Sequence, residues 1–409
     1  MYNRLILSAF FSVCAILAHA ATRQVNPSAG LQQVLDKALP GDTIRIHPGN
    51  YRQSNIIVRK QLVIIGEGYP VFDGENKNEV FIIIADGVVL QGLQIQHTGR
   101  SSLVDMAGIK LQNVKNVRVT HCKLLNTTYG VYLQNSKRCI VSNNLIQASA
   151  KEELQSGNGV HAWKCEQLLI SSNRMSGHRD GIYFEFVTRS AIIGNTSSGN
   201  IRYGLHFMFS HNDTYEYNTF QNNGAGVAVM YTRGVTMYKN TFYHNWGDAS
   251  YGILLKDISD SKIDHNTFHT NTVGIYMEGS SRIHVTGNTF SNNGWAMRIQ
   301  ASCDGNLFEK NNFSGNSFDV ATNGTMMLNT FRENYWDKYD GYDLDRDGTG
   351  DVPYYPVSVY SVITERIPVA MILYRSFLTR IMDQVENIMP SITPDQLKDI
   401  RPRIKKWQL

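Results

Sequence analysis

Two short signatures recur down this chain at a nearly fixed interval. One is Asn-x-apolar, at Asn144, Asn173, Asn195, Asn218, Asn240, Asn266, Asn288, Asn311 and Asn329. The other is Gly-apolar-x-apolar, at Gly108, Gly130, Gly159, Gly181, Gly204, Gly226, Gly252 and Gly274. Most steps are 22 or 23 residues, and steps of 29 and 26 occur in both series together, as loop insertions on a fixed coil would. A unit this short cannot bury its apolar face alone and must stack on its neighbours. A leucine-rich repeat has a similar period but requires LxxLxL and a helical half. Here short alternating segments are separated by Asn and Gly, which reads as strands and turns. The expected fold is all-β, a right-handed parallel β-helix.

Stacked coils predict the use of each repeated residue. Asparagines at one coil position can bond amide to amide. Phe220, Phe242, Phe268, Phe290, Phe313 and Phe331 are expected to stack inside, each contributing roughly 1.5–3 kcal/mol by burial. The glycines suit tight bends between strands. Leu31 to Leu39 is expected to form an N-terminal capping helix. The expected organisation is a leader at 1–20, the β-helix over 21–335 with regular coils from about residue 40, an acidic exit segment at 336–357, and an amphipathic helical and basic tail at 358–409.

The first residues predict export. Arg4, an apolar run from Leu5 to Leu17, and Ala18-His19-Ala20 form a secretory signal cleaved before Ala21. Cys122, Cys139, Cys165 and Cys303 are widely spaced and give no reason to pair. A net charge of +4 with no basic stripe between aromatics argues against a nucleic-acid partner. The one basic cluster lies at the end: Lys398, Arg401, Arg403, Lys405 and Lys406.

Alternation along the Gly-apolar-x-apolar segments gives each residue a side. The inward pairs are Val131/Leu133, Ile182/Phe184, Leu205/Phe207, Val227/Val229, Ile253/Leu255 and Ile275/Met277. The outward pairs on the same wall are Tyr132/Gln134, His161/Trp163, Tyr183/Glu185, His206/Met208, Ala228/Met230, Leu254/Lys256 and Tyr276/Glu278. His206 and Met208 are thus expected to face solvent or a partner, with Met230 stacked on Met208 one coil on and His211 following in the turn. Thioether plus imidazole suits cuprous copper. The competing reading is a protein-docking face, where Met and aromatics are favoured.

Asp343-Leu-Asp345-Arg-Asp347-Gly-Thr-Gly-Asp351 matches the first half of a calcium loop, with three carboxylates and a Gly for the sharp turn. Position twelve is Tyr354 rather than Glu. A structural calcium would fix the exit from the solenoid; the alternative is a solvated acidic loop. From Ile363 to Met389, residues Ala370, Tyr374, Phe377, Ile381, Val385 and Ile388 fall at helical spacing, and Pro368 suits a first turn. This helix either caps the solenoid or docks on another protein. A carbohydrate-active enzyme, a polysaccharide lyase or uronate epimerase, is the alternative function. His178 and Arg179 would be its base and neutralising cation, Tyr132, Trp163 and Tyr183 its sugar-stacking rings, and His161 and Glu185 its titratable pair. Asp180 reads as a turn residue bonding its own backbone.

The sequences YGLHFMFS (Tyr203 to Ser210), AGVAVMYT (Ala225 to Thr232), RDGIYFEF (Arg179 to Phe186) and NYW (Asn334 to Trp336), followed by YDLDRDGTGD and a tail helix, resemble the NosD family. The resemblance implies a non-catalytic periplasmic β-helix that serves maturation of nitrous oxide reductase. It implies work with an ABC transporter, an ATPase and a permease, and with a copper-carrying lipoprotein, to supply the copper centre of the reductase. By motif, His206 and Met208 match the family's H-x-M strand and Met230 the Met of its next coil; His211 has no counterpart. The tail helix matches the segment that would engage the permease, which makes the protein peripheral to the membrane.

Overall fold

In this computed structural model, residues 20–149, 151–153, 156–324, 328–389 and 397–409 are described. The expected leader lies outside them, apart from Ala20. The chain winds through three parallel sheets of 14, 12 and 13 strands, each strand pairing with its counterpart one coil away. Strands run from Thr22–Val25 to Tyr335–Trp336. The 12-stranded sheet, built mostly of six-residue strands such as Tyr203–Met208 and Ala225–Met230, is called here the wall sheet. The N-terminal helix α1 (Leu31–Lys37) buries Leu31 and Leu35 over the first coils. Cys122, Cys139, Cys165 and Cys303 are free and buried.

The lumen is filled by the residues that alternation turns inward; all six expected pairs are fully buried. Phe220, Phe242, Phe268, Phe290 and Phe313 stack with ring centroids 4.7–5.5 Å apart. The column ends on Trp336, 4.1 Å beyond Phe313, and not on Phe331. Phe331 stacks on Phe308 in the 14-stranded sheet. Asn329-Thr-Phe331 repeats the motif one corner out of phase, and its 18-residue step from Asn311 is the trace of that slip.

The expected amide ladder runs from Asn144 to Asn334 in the corner between two sheets. At Asn218, Nδ2 donates to Asn240 Oδ1 at 3.0 Å and to the Ile192 carbonyl at 2.9 Å, while Asn240 Oδ1 also accepts the Asn218 N–H at 3.0 Å. Each buried amide is thereby satisfied; an orphaned donor here would cost about 1–3 kcal/mol. A second ladder follows five residues later: Asn200, Asn223, Asn245, Asn271, Asn293 and Asn316. The glycines have another cause than bends. A Cβ on Gly204 would lie 2.7 Å from the Gly226 carbonyl oxygen and 2.8 Å from the Phe220 ring, so close coil stacking demands Gly there.

The tail departs from a single helix. Helix α2 (Val359–Arg366) ends at Pro368, a 3₁₀ turn covers Pro368–Leu373, and α3 (Phe377–Ile388) follows Arg375 in left-handed conformation. Proline lacks the N–H that a continuous helix needs. Helix α2 lies on the wall sheet's last strands, where Arg298 donates to both Glu365 oxygens at 2.7–3.0 Å. The solenoid is closed instead by the last residues. The buried Asp399 carboxylate accepts from Asn334 N, Asn334 Nδ2 and Trp336 Nε1, ending the amide ladder.

Candidate metal site on the solenoid wall

Strand register arranges the outward side chains in two columns. One runs Tyr132, His161, Tyr183, His206, Ala228, Leu254 and Tyr276. The other runs Gln134, Trp163, Glu185, Met208, Met230, Lys256 and Glu278. Met208 and Met230 are therefore register partners, about 4.8 Å apart at the backbone, and both side chains are half-buried. His206 precedes Met208 by two residues on the same face, and its partner Ala228 adds little bulk beside it.

Outward does not mean exposed at His206, which is only 3% accessible. The Tyr183 ring meets the imidazole edge-on at 5.0 Å and the Tyr203 ring lies at 4.8 Å. The Arg202 guanidinium covers Tyr203 at 4.9 Å. The imidazole is thus outside the lumen but under an aromatic cover, a correction to its expected solvent exposure. Alternation reports the face a side chain takes, not what its neighbours lay over it. Both imidazole nitrogens are buried and make no hydrogen bond.

The surroundings suit a soft ion more than acid–base work. Met208 Sδ accepts from the Tyr183 hydroxyl at 3.6 Å, and that hydroxyl lies 3.4 Å from Glu185 Oε2. Burial, then the Glu185 carboxylate, pushes the Tyr183 phenol up to about 12. His161 is sandwiched between Tyr132 at 4.6 Å and Tyr183 at 4.8 Å, and Asn158 Nδ2 donates to its Nδ1 at 2.9 Å. Burial holds His161 down at about 4, so it is neutral at neutral pH.

His211 is not brought to this cluster. It sits in the following corner, bridged to Thr188, with Nδ1 accepting the Arg233 N–H at 3.3 Å. The enzyme constellation is not assembled either. His178 is buried, Arg179 Nε faces Asp180 at 3.6 Å, and the tyrosines stack on His161 rather than standing free. Trp163 carries the Lys164 ammonium over its ring at 4.3 Å. Asp180 is no exposed turn residue: it begins the strand Asp180–Glu185, is fully buried, and accepts the Tyr203 N–H at 3.3 Å. The Asp-Gly dipeptide hid it. In register it pairs with Tyr203 of the next coil.

In the exit segment, Asp343, Asp345 and Asp347 place carboxylate oxygens within 4.8 Å of one another. Gly348 adopts φ +83° and its N–H donates to Asp343 Oδ2 at 2.9 Å. Asp351 stands outside this group and accepts the Leu344 N–H at 2.7 Å, so a fourth ligand from the motif is not in place.

The fold and this wall define a parallel β-helix that carries a thioether–imidazole cluster outside its core. Residues 148–341 match the family described as "Periplasmic copper-binding protein (NosD)", and residues 53–164 match "Right handed beta helix region". A protein of Pseudomonas aeruginosa named "Probable ABC transporter binding protein NosD" is 25% identical over 95% of this chain and 94% of its own length. One of the same name from Stutzerimonas stutzeri is 23% identical over 88% and 86%. Along nearly its whole length the chain is thus similar to proteins named NosD. Among solved structures, a family 28 exopolygalacturonase of Yersinia enterocolitica superimposes with TM-score 0.59 at 10% identity, covering 76% of this chain and 78% of that one. The A-module of mannuronan C-5 epimerase AlgE6 from Azotobacter vinelandii gives 0.54 at 14% identity, covering 75% and 95%. These two establish the fold alone.

Proposed function

We propose that this chain is a non-catalytic periplasmic accessory protein that takes up cuprous copper in transit on its wall sheet. The cargo serves the copper centre of nitrous oxide reductase, and the partners are a copper-carrying lipoprotein and an ABC transporter with its ATPase and permease. The observation that carries the reading is the register pairing of Met208 with Met230 on the same strand face as the buried, unbonded imidazole of His206. Thioethers select the soft cuprous ion over the hard cations of the periplasm. Half-burial leaves the sulfurs reachable by a donor protein, and the aromatic cover keeps water from the imidazole. The names of the relatives, transporter-binding proteins rather than enzymes, support the same reading.

Two elements are assigned subsidiary roles. The tail engages the permease: α2 anchors it to the wall, while Ile367, Val369, Ile372, Phe377 and Leu378 remain exposed beyond it. The carboxylates of Asp343, Asp345 and Asp347 take a structural calcium. Asp351 is the fourth acidic group of the motif, beside that trio.

Purified apo-protein titrated with Cu(I) against a chromophoric chelator tests the site. The wild type is expected to compete for the ion, and Met208→Ala/Met230→Ala and His206→Ala each to weaken that competition strongly. Equal affinity in all three proteins refutes the assignment.

A further inference from the structure

Asp180 is the buried charge with the least evident purpose. Its Oδ1 takes one backbone N–H, from Tyr203 at 3.3 Å. Its Oδ2 is buried and makes no hydrogen bond. Around it stand Arg179 Nε at 3.6 Å and His206 Nδ1 at 3.7 Å from Oδ2, with Arg202 Nε 3.9 Å from Oδ1. Arg179 Nε and both His206 nitrogens are likewise buried without hydrogen-bond partners. Three nitrogens at 3.6–3.9 Å from the carboxylate oxygens, none of them bonded to it, form a slack network. A carboxylate fixed only to support the fold would be expected to close such bonds, because each unmade one costs about 1–3 kcal/mol.

Resting on the proposed copper reading, we infer that Asp180 is the positioning residue for His206. It does not touch the ion. A metal-bound histidine donates its second ring nitrogen to a carboxylate or carbonyl, which fixes the tautomer and raises the basicity of the ligating nitrogen. Nδ1 is the nitrogen that faces Asp180, so Nδ1 carries the proton and Nε2 takes the copper. A charge-assisted bond needs about 2.7–2.9 Å, so the ring and carboxylate approach by about an ångström when the site loads. Asp180 belongs to the preceding coil, one register step from the strand of His206 and Met208. The site therefore spans three successive coils, those of Asp180, His206 with Met208, and Met230. Arg179 and Arg202 flank the carboxylate without closing on it. In the empty protein the imidazole makes no hydrogen bond, and the cargo itself draws the last bond shut.

The test uses the full mature chain with ¹⁵N-labelled histidine, and Cu(I) alone as the probe. Two measurements are made: Cu(I) affinity for wild type, Asp180→Asn and Asp180→Glu, and the ¹⁵N signature of His206 with and without the ion. Asp180→Asn is expected to lower affinity about 10- to 100-fold, with Asp180→Glu recovering part of the loss. The loaded wild type is expected to show His206 protonated at Nδ1 and metallated at Nε2. Unchanged affinity in Asp180→Asn while Met208→Ala/Met230→Ala loses copper overturns this inference and leaves the copper site standing. Indifference of wild-type binding to the methionines instead removes the reading on which it rests. If Asp180→Asn does not fold, the wild-type spectrum decides: copper on Nε2 upholds the inference and copper on Nδ1 overturns it.

Discussion

Asp213 puts a carboxyl in a solenoid corner that the two adjacent coils fill with Ser190 and Val235. It is fully buried; Oδ1 accepts the Ser190 N–H at 2.7 Å and Oδ2 makes no hydrogen bond. Burial pushes its pKa up to about 8, against 3.8 for an ordinary Asp. Folded protein therefore keeps this proton between about pH 4 and 8 while unfolded chain releases it. Stability is fully present below pH 4 and falls with rising pH across that window, at up to about 1.4 kcal/mol per unit. Asp213→Asn keeps the acceptor and removes the ionisation. Its melting temperature is expected to exceed the wild type's at pH 8 by clearly more than at pH 5; a gap that does not widen contradicts the assignment. At this scale the sequence was legible where period two decides, as at Leu205 and Phe207. It was not legible where cover decides: the burial of His206 comes from Tyr183 one coil before and Tyr203 at the strand's start, rings that alternation places but does not orient.

Among the elements, the coils were readable because each repeats one local rule, and the exceptions lie where a coil ends. Asn329-Thr-Phe331 carries the repeat's letters in another corner, 23 residues after Asn306-Leu-Phe308, while Asn334 and Trp336 continue the ladder and the ring stack. The tail read as one helix because apolar spacing continues through Pro368, yet the missing N–H splits it into α2, a 3₁₀ turn and α3. That split has a use. Helix α2 is pinned through Glu365 to Arg298, while Ile372 and Phe377 beyond it are 85% and 80% exposed. Exposed apolar groups of this size, gathered in one short stretch of chain, mark an interaction surface. Ile372→Asp/Phe377→Asp is expected to abolish co-purification with the permease in detergent while leaving the melting temperature and copper affinity unchanged. Retention of the complex would contradict the tail's assignment. Truncation after residue 358 is a poorer probe, because it also removes Asp399 and with it the closure of the amide ladder.

For the molecule as a whole, stacking carries stability along one axis, so the two ends determine whether the array persists. The N-terminal end is covered by α1. At the other, residues 399–404 sit on the acidic loop: Gly350 N–H donates to the Pro402 carbonyl at 2.7 Å, Ile404 N–H to Gly348 at 3.2 Å, and Arg401 lies 3.8 Å from Asp347. An ion in that loop would fasten the segment bearing Asp399. Calcium at 100 times its dissociation constant is expected to stabilise by about 2.7 kcal/mol, seen as a higher melting temperature that EGTA reverses and Asp345→Asn abolishes; a melting temperature indifferent to calcium and EGTA contradicts it. The fold was legible because a repeat states its own architecture, whereas the proposed copper site spans coils and needs side-chain orientation as well as register. The most direct measurement is X-ray absorption at the copper edge of the Cu(I)-loaded protein. A shell with two sulfurs and one imidazole nitrogen is expected, losing its sulfur in Met208→Ala/Met230→Ala. A shell of oxygen and nitrogen alone, or one that the double substitution leaves unchanged, would contradict it.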